Sequence, residues 1–193
     1  MKIKIILFAI FFLINHHVMA DDKTKPILEG NINAKIKLIV YESLTCSHCA
    51  SFHKDIYPKL KNEFLDKGLA SIEFRNFPLD IAALNASKLA HCKNDGKSNI
   101  LHFLYSKQEE WLKGNTIEEL NSNLKNLIKD QDFSLDFEKC LADKNIEDHI
   151  LEDRIEGSKK FKINATPTII INEKKFEKAL NFKNLKKAIE KLI

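Results

Sequence analysis

The sequence predicts an α/β fold in which a sheet is interrupted by a long, all-helical insertion. Three observations carry that reading. Residues 36–41 (Ile-Lys-Leu-Ile-Val-Tyr) are a nearly unbroken apolar run of strand length, and Cys46-Ser47-His48-Cys49 follow closely. Cys49, Phe52, Ile56, Leu60 and Phe64 then recur every three or four residues up to Gly68, the period of a helix with a glycine stop. Far downstream, Ala165-Thr166-Pro167-Thr168 leads into Ile169-Ile170-Ile171, a second apolar run of strand length.

Taken in order, residues 21–35 read as a polar lead-in, and residues 36–79 as the first part of the sheet domain. Pro58 falls inside its helix, where it removes a backbone donor and should kink the axis. Ala70-Ser71-Ile72-Glu73-Phe74 alternates and reads as the next strand. Residues 80–161 read as helical throughout. Ile81, Leu84, Leu89 and Cys92 mark one helix; Ile100, Leu101, Phe103, Leu104, Trp111 and Leu112 mark another. Thr116 with Glu119 forms a capping box ahead of Leu120, Leu124, Leu127 and Ile128. Two more helices follow, around residues 137–141 and 146–155. Residues 162–193 return to the sheet domain with strands at 168–172 and 174–176, then a helix carrying Phe182, Leu185, Ile189 and Leu192. The lysines of that last helix read as a solvated face, and His91 as a helix-surface residue. No repeats or low-complexity linkers break the chain.

The first twenty residues read as a leader. Lys2 and Lys4 precede an apolar stretch at 5–14, and Val18-Met19-Ala20 offers a small-residue cleavage site before Asp21. The stretch is well short of the ~20 apolar residues needed to cross a bilayer; an uncleaved anchor is the alternative. With Lys2 and Lys4 removed, the formal charge falls from +4 to +2, too balanced for a nucleic-acid binder. Export to an oxidising compartment suits a chain with four cysteines.

A C-x-x-C that ends a strand and opens a helix places its first sulfur at the positive end of the helix. Free backbone N–H groups and the macrodipole there favour thiolate over thiol. Cys46 is then the exposed nucleophile, and Cys49, one turn in, the buried resolving thiol. Half of a zinc site is the bland alternative. It lacks the usual second C-x-x-C or paired histidines, since Cys92 and Cys140 stand alone and His53 is the only nearby imidazole.

Cys46-Ser47-His48-Cys49, Thr166-Pro167 and the strand–helix order around them resemble the thioredoxin fold. The helical stretch between them narrows the resemblance to the DsbA-like thiol:disulfide oxidoreductases, from about Ile32 to the C-terminus. The expected architecture is therefore a thioredoxin-like fold with an inserted all-helical domain. The resemblance implies a cis Pro167 facing the cysteine pair, with the backbone of Thr166 available to an incoming peptide. It also implies that His48, through its ring and its backbone N–H, stabilises the Cys46 thiolate; an exposed loop histidine without that role is the alternative. A stabilised reduced form would make the Cys46–Cys49 disulfide a strong oxidant, DsbA itself being the standard example.

One departure stands out. Such enzymes carry a buried acid six residues before the first cysteine, and Val40 occupies that position. Glu42 lies two residues on and shares the strand face of Val40. It either relays the Cys49 proton or is a solvated strand-end carboxylate.

Cys92 and Cys140 complete an even cysteine count, and some DsbA-like proteins carry a second disulfide in the helical region, which supports a structural Cys92–Cys140 bridge. Two buried free thiols are the other reading. The resemblance further implies a periplasmic monomer that needs no cofactor and oxidises reduced or unfolded exported proteins. A membrane quinone-linked partner would reoxidise it. A disulfide reductase or isomerase would use the same cysteines at lower potential. A copper chaperone would hold the ion with Cys46, Cys49 and a histidine.

Overall fold

The computed structural model describes residues 23–193, so the stretch 1–20 that the sequence suggests is a leader lies outside the described residues. Strand β2 (Ile36–Glu42) alternates at its start, where Lys37 is exposed, and is buried on both faces from Val40 to Glu42, which is why the alternation is lost at Val40-Tyr41. It pairs in parallel with β3 (Ala70–Asn76), from Ile36 opposite Ala70 to Glu42 opposite Asn76. On its other side it pairs antiparallel with β4 (Thr168–Ile171). Strands β1 (Ile27–Gly30) and β5 (Lys174–Lys175) add antiparallel edges, giving the order β1-β3-β2-β4-β5.

Strand β1 lies within the stretch read as a polar lead-in. Four residues are too few to show an alternating pattern, and pairing with β3 defines the strand. At its end Gly30 has φ +81°, and a Cβ there would stand 2.4 Å from the Ala70 carbonyl oxygen.

The helix over residues 47–65 is not uniform. It runs as α1 (Ser47–Ser51), a π turn (Phe52–Ile56), α2 (Tyr57–Leu60) and a second π turn (Lys61–Leu65). The break expected at Pro58 takes the form of the first π turn, in which Tyr57 N–H reaches back to the Phe52 carbonyl. The wide turn accommodates a proline that has no N–H to give.

Six helices fill residues 81–161: α3 (Ile81–His91), α4 (Asn99–Ser106), α5 (Gln108–Trp111), α6 (Ile117–Lys129), α7 (Phe137–Ala142) and α8 (Lys144–Phe161). Polar caps start several of them. Asp80 accepts the Ala83 N–H, and Thr116 with Glu119 forms the reciprocal capping box. Cys92 and Cys140 are joined, Cα to Cα 5.4 Å, tying the end of α3 to α7.

Val40, Phe52, Phe74, Leu89, Trp111 and Leu124 belong to one contiguous core shared by the sheet and the helical region. On the opposite face of β2, α8 rests on Tyr41, and a Cβ at Gly157 would meet the tyrosine ring at 2.8 Å. Helix α9 (Phe182–Glu190) buries Leu185 and Ile189. His91 is not on the surface: it is 3 % exposed, with Nε2 3.0 Å from Asn76 Nδ2, and burial pushes its pKa down to about 3. Helix α3 is enclosed by neighbours that its own periodicity does not reveal. None of the described helices is long and apolar enough to cross a membrane.

Candidate active site

The site forms where β2 ends and the 47–65 helix begins. Cys46 is the helix N-cap residue, with extended φ and ψ. Its carbonyl accepts the N–H groups of Cys49 and Ala50, each at 3.1 Å. Two neighbours fix the preceding turn. Thr45 Oγ1 donates to Asp80 Oδ2 at 2.8 Å, and Gln108 Nε2 donates to the carbonyls of Leu44 (2.8 Å) and Cys46 (3.1 Å). The helical region thereby holds the cysteine turn in place.

The two thiols differ sharply. Cys46 is part-exposed and Cys49 is fully buried. The Cys46 pKa is pulled down to about 5, first by a hydrogen bond from the Cys49 thiol, against the opposing effect of burial. Thr166 and the backbone N–H groups of Cys49 and His48 add to the lowering. Cys49 moves the other way, well above the ordinary thiol value. Burial is the main cause, followed by its hydrogen bond to Cys46 and the charge of Glu42. One sulfur is thus a thiolate at neutral pH while the other keeps its proton.

Across from Cys46 the Thr166–Pro167 peptide is cis. The Cys46 thiol, when protonated, donates to the Thr166 carbonyl at 3.3 Å. Thr166 Oγ1 is buried beside it and makes no hydrogen bond of ordinary geometry. A groove of about 500 Å³ opens alongside, lined by His48, Phe52, Ile56, Thr166, Pro167 and Phe182. His48 is exposed there, and the contribution it makes to Cys46 comes from its backbone N–H.

Glu42 is 4 % exposed, so it is not a solvated strand end. Its Oε2 lies 2.7 Å from His53 Nε2, its Oε1 is buried without a partner, and its charge acts on Cys49. The Tyr105 hydroxyl, also buried beside Cys49, makes no hydrogen bond of ordinary geometry. Cys46, Cys49, His48, Thr166, Pro167 and Glu42 therefore gather at one place, whereas Cys92 and Cys140 are joined elsewhere, between α3 and α7.

His53, His102, Glu29, Tyr105 and Gln108 also belong to this region, and the sequence alone does not reveal them as site residues. His53 stands four residues after Cys49, a spacing that puts both on one helical face and could have flagged it. Nothing in the spacing of the other four points to the cysteine pair. Among the described residues, no group of three or more His, Cys, Asp or Glu side chains is arranged to hold a metal ion.

A family model described as thioredoxin matches residues 22–191. The crystal structure of Wolbachia pipientis alpha-DsbA1 superimposes with a TM-score of 0.75 at 31 % identity, covering 86 % of this chain and 90 % of that one. A Bacillus anthracis protein provisionally named disulfide bond formation protein D is 30 % identical over 176 residues, covering 84 % of this chain and 76 % of that protein. A Rickettsia bellii protein provisionally named protein-disulfide oxidoreductase is 30 % identical over 168 residues, 85 % of this chain. The chain spans 63 % of the length of that relative and 60 % of two other Rickettsia proteins of similar name.

Proposed function

The chain belongs to the thioredoxin family, in its DsbA-like branch, and from that premise we propose that it is a protein-disulfide oxidoreductase that introduces disulfides into exported proteins. The observation that carries this reading is the opposed state of the two thiols, Cys46 near 5 and Cys49 well above its ordinary value. A stabilised Cys46 thiolate favours the reduced pair, and a favoured reduced pair makes the disulfide an oxidant.

The reaction follows from that polarity. A substrate thiolate attacks Cys46 Sγ of the oxidised pair, and the electron pair of the broken S–S bond goes to Cys49. Cys49 is too buried to remain charged, and Glu42 supplies its proton. The second substrate thiolate then attacks the substrate sulfur of the mixed disulfide. Cys46 departs as a stable thiolate, leaving an oxidised substrate and two electrons in the enzyme. The groove beside His48, Phe52 and Pro167 receives the substrate chain, with the backbone of Thr166 as a partner. His48 supports the thiolate through its N–H, and the Cys92–Cys140 bridge is structural and takes no part in exchange.

The leader at 1–20, the family likeness and the cysteine chemistry support a periplasmic protein. It works as a monomer, and a quinone-linked membrane partner collects the two electrons of each turnover.

Trapping tests the reading. Cys49→Ser incubated with a disulfide-bonded peptide, which runs the exchange in reverse, should accumulate a mixed disulfide: the Cys46 thiolate attacks one peptide sulfur, the other leaves as a thiol, and the Cys49 thiol that would resolve the bond is gone. Cys46→Ser should form none. Oxidation by Cys46→Ser at the parent rate would remove Cys46 from the nucleophile's role.

A further inference from the structure

Behind the cysteine pair, Glu42, whose charge acts on Cys49, begins a second constellation that runs toward the surface. Glu42 Oε2 is 2.7 Å from His53 Nε2, His53 Nδ1 is 2.9 Å from His102 Nδ1, and His102 Nε2 is 2.7 Å from Glu29 Oε1. Tyr57 donates its hydroxyl to the other Glu29 oxygen at 2.5 Å. Strand β2, the first π turn, α4 and β1 each contribute one member. Aromatic rings flank the chain: Tyr105 stacks on His53 at 4.0 Å, and Tyr57 on His102 at 4.4 Å. Its ends differ in wetness. The Glu42 and His53 side chains are 4 % and 5 % exposed, whereas His102 is 25 % exposed. With Glu29, Tyr57, Lys61 and Ser98, His102 lines an open groove of about 570 Å³.

We infer that Glu42, His53, His102 and Glu29 form a proton wire between the buried Cys49 thiol and solvent. This rests on the reading of Cys49 as the leaving thiol. In it, Glu42 is the group that hands over the proton, and His53, His102 and Glu29 are positioning residues.

The hydrogen-bond pattern admits two arrangements with the same number of protons. In one, Glu42 is a carboxylate accepting from His53 Nε2–H, and His53 Nδ1 accepts from His102 Nδ1–H. His102 is then an imidazolium that also donates Nε2–H to Glu29. In the other, Glu42 is a carboxyl donating to His53 Nε2, His53 Nδ1–H donates to His102 Nδ1, and both rings are neutral. Two hops along bonds shorter than 3 Å, with no heavy atom displaced, carry the proton from the wet end to the dry end.

Glu29 anchors the wet end. Burial raises its pKa, yet hydrogen bonds from His102, Ser98 and Tyr57 outweigh this and bring it down to about 2, so it stays ionised. It holds the outer ring in place through the His102 Nε2 contact. The other ionisable groups in reach are Cys46 and Tyr105 at the inner end, Tyr57 on His102, Lys61 and Lys97 at the groove, and Lys54, Lys107, Glu109 and Glu110 along a second groove that His53 and His102 also line.

When a substrate thiolate breaks the Cys46–Cys49 bond, Glu42 gives its proton to Cys49 Sγ. His102 is left neutral and His53 in the exchanged tautomer, its Nδ1–H toward His102. One proton taken up from water at His102, with reorientation of the His53 ring so that an N–H again faces Glu42, completes the cycle.

Single-turnover reduction of the oxidised protein by a peptide dithiol, followed from pH 5.5 to 9, tests the wire. His102→Ala should slow the Cys49-dependent step at pH 7 by about tenfold or more. Imidazole added to the solution should restore much of the rate by entering the vacated groove, while alkylation of Cys46 in the reduced protein stays at the parent rate. Glu29→Gln keeps the shape but replaces the carboxylate that holds His102 Nε2 with an amide. It should slow the same step at pH 7 by about threefold or more while Cys46 alkylation stays at the parent rate, and it carries the test if His102→Ala does not fold. A His102→Ala rate within twofold of the parent, a slow rate that imidazole does not restore, or a parent-like rate in Glu29→Gln would overturn the wire alone. A parent protein inert toward dithiols would overturn the oxidoreductase reading and the wire with it.

Discussion

Cys46 and Cys49 are chemically identical residues three positions apart, and their surroundings drive them to opposite protonation states. The polarity of the C-x-x-C was readable from the sequence because a helix N-terminus is a local feature that strand and helix periodicity locate. Its depth was not. The largest influence on Cys46 is the neighbouring thiol, and Thr166 adds to it from the far side of the fold. Alkylation of Cys46 in the reduced protein should therefore follow a titration centred near pH 5. Thr166→Val removes the buried hydroxyl that favours the thiolate and should move that midpoint upward, read as the pH dependence of iodoacetamide labelling. An unchanged midpoint would mean that the hydroxyl does not reach the sulfur. Glu42 shows the same limit. Its strand face was legible from the two-residue period, but the imidazole it meets, His53, lies on a π turn, and the next, His102, on α4, which no local pattern brings together.

At the scale of elements, periodicity located every long helix and the central strands. It missed β1, which is too short to declare itself, and the enclosure of His91, which depends on helices packed around α3. Pro58 was legible as a break but not as a π turn, because a proline states only that a donor is missing. The Cys92–Cys140 bridge lies between α3 and α7, away from the exchanging pair. Closing the loop between residues 48 apart removes denatured-state freedom worth about 4 kcal/mol in the loop-entropy model. The double variant Cys92→Ala with Cys140→Ala should lose stability of that order in denaturant unfolding, while its rate of dithiol oxidation stays within about twofold of the parent. A parent-like midpoint, or a collapse of exchange in a variant that folds normally, would contradict the separation of the two roles.

The whole molecule arranges its parts around one asymmetry. The sheet presents Glu42 and the cysteine turn at one end, the helical region holds that turn through Asp80 and Gln108, and β4 follows the Thr166–Pro167 peptide that faces Cys46. These parts support an exposed thiolate and a buried thiol in the reduced state, and so a disulfide that readily accepts electrons. Proton uptake gives the claim its sign. Above pH 5 the reduced pair holds one proton, on Cys49, since Cys46 has lost its own; below pH 5 it holds two. The reduction potential of the Cys46–Cys49 pair, measured against glutathione across this range, is the most direct test. The account predicts a value at pH 7 more positive than about −180 mV, falling by about 30 mV per pH unit between pH 6 and 8 and about twice as steeply below pH 5. A potential near −270 mV, the thioredoxin value, or the steeper slope at neutral pH, would contradict it.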